Sequence, residues 1–83
     1  MQYPTIKAVK SLENKQLWIE FKDGSQKVYD CSPLLHKPAF APLQHEALFK
    51  MVKVDQGGYG ISWNDDIDLA ESELWLNGVD IAA

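Results

Sequence analysis

The sequence contains no arginine; all eight of its basic residues are lysines. The arginine fork is the usual two-point reader of phosphate and guanine, so its absence argues against nucleic-acid recognition by this domain alone. There is one cysteine, Cys31, which excludes an intramolecular disulfide and a cysteine-cluster zinc site. A lone thiol suits a reducing compartment, and the expected location is cytoplasmic. No apolar run approaches the roughly 20 residues of a membrane-spanning helix. The first residues, with Pro4, read as strand-like and not as a signal segment. His36 and His45 are separated by two prolines, Pro38 and Pro42, and match no metal-ligand spacing. No cofactor, metal site or membrane contact is expected.

Eighty-three residues with 46% hydrophobic content make one domain, 1–83, with material for a modest core. Charge is divided along it. Residues 1–53 carry every lysine and a balance of +3, whereas residues 54–83 carry seven acids, no base and a balance of −7. The acidic part would repel nucleic acid and anionic membranes.

Residues 16–31 organise the chain. Leu17, Ile19 and Phe21 alternate with Trp18, Glu20 and Lys22, then Asp23-Gly24 leads into Val28 and Tyr29. Asp-Gly between alternating runs predicts a tight hairpin. A two-residue turn would pair Trp18 with Tyr29, Ile19 with Val28 and Glu20 with Lys27, and would send Leu17, Ile19, Phe21 and Val28 to the core. Ile6, Ala8 and Val9 mark an earlier strand, which completes a three-stranded meander. Pro42 opens a predicted short helix over residues 42–50, and Leu34, Leu35 and Phe40 pin the segment before it to the core. Val52 and Val54 flank Lys53 as a fourth strand, and Ile61-Ser62-Trp63 forms a fifth. Asp68, with Glu71 three residues on, has the spacing of a capping box for a last helix that stops at Asn77-Gly78. Residues 77–83 form a tail without an assigned place. The fold class is α+β: a small, mostly antiparallel sheet, formed by the N-terminal meander and a C-terminal β-hairpin, with one or two short helices on one face.

The chemical motifs have plain structural explanations. Gly57-Gly58-Tyr59-Gly60 lacks the lysine and following helix of a phosphate loop, so it reads as a turn. A calcium loop begun at Asn64 would need glycine where Leu69 stands and glutamate where Trp75 stands. Cys31 follows Asp30, which disfavours a thiolate, and no spacing pairs it with a histidine. Five acids, Asp65, Asp66, Asp68, Glu71 and Glu73, exceed what helix capping needs. Together with Trp63 and Trp75 as apolar anchors they form the candidate partner contact. Trp18 and Tyr29, placed on one face by the predicted register, form a secondary candidate patch.

The combination of Phe21-x-Asp23-Gly24, Leu34-Leu35 after Pro33, residues 43–49, Val52-x-Val54 and Ile61-Ser62-Trp63 leading to Asp66-x-Asp68-Leu69 resembles the bacterial domain-of-unknown-function 2442 family over about residues 5–76. That resemblance carries over no catalytic residue. It implies an antitoxin-like module with a protein partner encoded nearby. The expected function is therefore a small non-enzymatic protein-interaction module with a basic protein partner, with homo-oligomerisation left open. The alternatives are a small-ligand or metal-ion binding domain and an uncharacterised small enzyme. Thermal shifts with metabolites and metals would discriminate the first of these.

Overall fold

The computed structural model describes residues 2–81. Its strands are β1 (Ile6–Ser11), β2 (Gln16–Phe21), β3 (Gln26–Asp30), β4 (Lys53–Val54), β5 (Gly60–Asn64), β6 (Ile67–Ala70) and β7 (Val79–Asp80). The α-helices are α1 (Glu46–Phe49) and α2 (Glu71–Asn77), and 3-10 turns fill much of the remainder. The fold is α+β, with two antiparallel sheets ordered β1-β2-β3-β7 and β4-β5-β6.

The predicted meander is present. Alternation along β2 buries Leu17, Ile19 and Phe21 completely and leaves Trp18 and Glu20 half-exposed on the other face. The predicted register is displaced by one residue. Trp18 faces Val28, Ile19 faces Lys27, Leu17 faces Tyr29 and Glu20 faces Gln26. The turn explains the shift. Phe21 accepts a hydrogen bond from Gly24 N–H at 3.0 Å and donates its own N–H to Ser25 O at 2.8 Å, so the loop holds three residues and not two. Gly24, at φ +92°, takes the left-handed position that closes such a loop. A one-residue slip exchanges the faces of a strand. Tyr29 and Lys27 therefore point inward, and Val28 shares the outer face with Trp18, contrary to the expected core position.

The buried Lys27 is matched to its surroundings. Its Nζ lies 2.8 Å from Asp80 and 4.6 Å from the centroid of the Trp75 ring, so a charge on a core-facing stem meets both a carboxylate and an aromatic face. The expected Glu20–Lys27 pairing is thereby replaced.

The predicted helix over residues 42–50 is broken: residues 42–44 end a 3-10 segment and the α-helix is a single turn. That segment, Pro38–Gln44, contains Pro42 in its interior, and only Glu46–Phe49 is α-helical. Proline cannot donate to the helical ladder, which limits the length available to a regular helix here. Gly57 and Gly58 both have positive φ, and a side chain on Gly58 would collide with the Ile6 backbone. The glycines thus let the turn before β5 approach the first strand of the other sheet.

The expected capping box is also overturned. Asp68 lies in β6, across from Ser62, and the N-cap of α2 is Ala70, which makes no side-chain cap. Asn64 explains the reversal between β5 and β6: its Oδ1 accepts hydrogen bonds from Asp66 N–H at 2.9 Å and Ile67 N–H at 3.0 Å. The first part of the tail, without a predicted place, forms β7 against β3, pairing Val79 with Val28 and Asp80 with Lys27. Residues 82 and 83 lie outside the described residues.

One apolar cluster joins the sheets. It includes Ile6, Leu17, Ile19 and Phe21 from the first, Ile61, Trp63, Ile67 and Leu69 from the second, Leu43 and Phe49 from the connecting segment, and Leu74 from α2. No helix among the described residues is long and apolar enough to cross a membrane.

Candidate interaction site

β6 runs straight into α2, and α2 ends where Gly78 turns the chain into β7. Gly78 donates its N–H to Leu74 O at 3.0 Å, and a side chain at position 78 would meet that same oxygen, so the helix closes tightly against β3. The acidic candidates all belong to this last third, but they do not form one face.

Asp65 and Asp66 are exposed at the β5–β6 turn, and Asp68 is exposed on β6. None of the three forms an ion pair among the described residues. Glu71 is half-buried and lines a small surface pocket with Tyr3, Thr5 and Tyr59. Glu73 points elsewhere again: its Oε2 accepts hydrogen bonds from the Tyr29 hydroxyl at 2.8 Å and from Asn77 Nδ2 at 2.9 Å. Burial pushes the Tyr29 phenol above its ordinary range, and the Glu73 carboxylate adds to the effect, so the hydroxyl keeps its proton and remains the donor.

The tryptophan anchors separate in the same way. Trp63 is only 3% exposed; its indole stacks on Phe49 and its Nε1–H donates to Phe49 O at 3.0 Å. Core packing uses this ring fully and leaves no surface for a partner. Trp75 is half-buried, edge-on to Phe21 at 5.1 Å between centroids and beneath Lys27. The secondary patch dissolves as well, because Trp18 lies on the outer face and Tyr29 is buried on the inner one.

The remaining candidates for chemistry are placed as follows. Cys31 is fully buried, and loss of solvation, reinforced by Asp30, pushes its thiol up to about 12. A thiol held that far above neutrality is a poor nucleophile. His36 and His45 are exposed. Among the described residues no group of three or more histidine, cysteine, aspartate or glutamate side chains is arranged to hold a metal ion.

The sequence did not reveal a groove beside Glu73. Its lining includes Val28 and Asp30 of β3, Pro33 and Leu34 of the following 3-10 turn, Glu73 of α2 and Val79 of β7. Glu73 and Asn77 are four apart on a helix, a spacing that brings side chains together and can be read in advance. Their junction with Tyr29, 44 positions before Glu73, cannot.

A family model described as a protein of unknown function (DUF2442) matches residues 6–80, from the first strand to the last. The chain belongs to the DUF2442 family. No curated protein and no solved structure matches it. The DUF2442 match therefore covers both sheets, the groove and all of the acidic turn, and its description assigns them no activity.

Proposed function

We propose that this DUF2442 chain is a non-enzymatic protein-interaction module that binds a basic partner through its acidic C-terminal third. The observation that carries this reading is the company its acids keep. Asp65, Asp66 and Asp68 are exposed without an ion pair among the described residues, and the same third of the chain exposes Leu76 (63%), Val79 (69%) and Ile81 (39%). Unpaired like charges raise self-repulsion, and exposed aliphatic side chains cost solvation; a complementary partner relieves both. The finer form of the proposal is an antitoxin-like module in the cytoplasm of a bacterium, acting on a protein encoded beside it.

The test is association with the co-expressed product of the neighbouring gene. Wild type and the combined Asp65→Asn, Asp66→Asn, Asp68→Asn variant are compared at low and high salt. Complementary charge acts chiefly on the association rate. The expected result is about a tenfold slower association for the variant at low salt, with the difference vanishing at high salt. Equal rates for the two proteins at both salt concentrations would refute the acidic contact surface.

A further inference from the structure

The groove between β3, β7, α2 and the 3-10 turn at Ser32–His36 combines features that do not occur together elsewhere among the described residues. Its walls are aliphatic, from Val28, Pro33, Leu34 and Val79. Two carboxylates line it, Asp30 and Glu73, and no base does. Each carboxylate already has one oxygen engaged. Asp30 Oδ1 accepts from Ser32 N–H at 2.9 Å, and Glu73 Oε2 accepts from Tyr29 and Asn77. These bonds fix the two groups in place. No hydrogen bond to the second oxygen of either carboxylate occurs among the described residues.

We infer that this groove seats a lysine or arginine side chain of a partner protein, its stem along Val28, Leu34 and Val79 and its charged head at Asp30 and Glu73. The inference rests on the basic-partner reading above and locates one contact within it. The two halves of such a side chain match the two kinds of lining: methylenes pack on aliphatic surface while the head stays with the carboxylates. Charge complementarity selects the occupant, since two acids without a base favour a cation. The surroundings favour a protein over a small amine. Val79 in the groove wall is exposed, as is Leu76 on α2 between the groove residues Glu73 and Asn77, and such apolar surface has no use in binding a lone cation.

The probe is the pentapeptide acetyl-Leu-Arg-Leu-Lys-Leu-amide, titrated into the isotopically labelled full chain and followed by amide chemical shifts. Controls are the same peptide with glutamate in place of both basic residues, and spermidine. The expected result is a set of shifts centred on Val28, Asp30, Leu34, Asn77 and Val79, absent with the acidic peptide. Asp30→Asn and Glu73→Gln should each weaken peptide binding about tenfold. Both substitutions preserve a hydrogen-bond acceptor, and unchanged thermal midpoints verify that the fold survives. Shifts confined to residues 65–68 would overturn the groove while leaving the basic-partner reading standing. Absence of shifts at any site, together with equal association of wild type and the triple asparagine variant, would overturn both. An equal response to spermidine would overturn the protein occupant and make the groove a polyamine site.

Discussion

Between β2 and β3 the chain reverses on a left-handed glycine, with Asp23 Oδ1 accepting from Ser25 N–H at 2.9 Å beside it, whereas between β5 and β6 it reverses on a side chain with no residue in the left-handed region. Gly24 supplies φ +92° and its own N–H to Phe21 O, and a Cβ placed there would have no atom within 4 Å. Asn64 supplies an oxygen that holds the N–H groups of Asp66 and Ile67. The first device leaves a dipeptide signal, Asp-Gly, that announces a hairpin. The second leaves Asn-Asp-Asp, which serves equally as the entrance to a helix. Hairpins of similar size can therefore differ greatly in how openly the sequence declares them.

The largest expected effects test whether the two hairpins belong to one cooperative unit. Ile19 on β2 and Ile61 on β5 are both fully buried in the same cluster. Ile19→Ala and Ile61→Ala should each cost about 2–4 kcal/mol, and each should lower the denaturation midpoint of both sheets together. Amide signals from Val28 and Leu69 provide separate probes. Two distinct transitions would show that the sheets are independently stable.

Next come the turns themselves. Gly24→Val should destabilise by about 1–2 kcal/mol through backbone strain alone, and Gly24→Asn should recover most of the loss because asparagine tolerates the left-handed region. Asn64→Ala should cost about 1 kcal/mol through loss of the two side-chain hydrogen bonds. Asn64→Gly should cost no less, since glycine lacks the oxygen. A fully stable Asn64→Gly protein, measured by urea titration, would erase the distinction between the two turns.

The smallest effect at neutral pH concerns groups packed on the first sheet's side. Burial raises the Cys31 thiol from 9.0 to about 12, and Tyr29 rises as well. In the unfolded chain the thiol ionises at lower pH than in the folded one, so the unfolded state binds fewer protons across that interval. Stability contributed by the neutral thiol is complete below pH 9.0 and declines as pH rises toward about 12. Thermal midpoints measured from neutral pH upward should fall across this range, and Cys31→Ala should soften the fall.

Strands β1 to β5 are legible because apolar residues alternate with polar ones or stand between clear turn signals. β6 has the same alternation, with Ile67 and Leu69 buried and Asp68 exposed. It is obscured because Asp68 and Glu71 also have the spacing of a capping box, and only tertiary pairing with β5 decides between them. β7 has two residues, too few to show any period. Register is illegible for a related reason: Asp-Gly suits loops of two or three residues, and that single residue determines whether Tyr29 or Val28 faces the core. The charge division is plain in the sequence. How it is spent is not, because the separation of Glu73 from Asp65 and Asp66 depends on where α2 docks. Trp63 and Trp75 are equally prominent in the sequence, yet one is enclosed by Phe49 and the other by Phe21 and Lys27.

The position of β7 has a consequence for biosynthesis. Val79 emerges 51 positions after its pairing partner Val28. At ribosomal speed that separation corresponds to roughly 3–10 s during which β3 lacks its final neighbour. Throughout that interval the nascent meander displays a bare strand edge, with Lys27 awaiting the carboxylate of Asp80. An edge carrying an unmatched lysine is poorly suited to joining a second copy of itself, because like charges would meet. The residue that later anchors the closing strand thus first serves as a guard against premature self-association on the polysome.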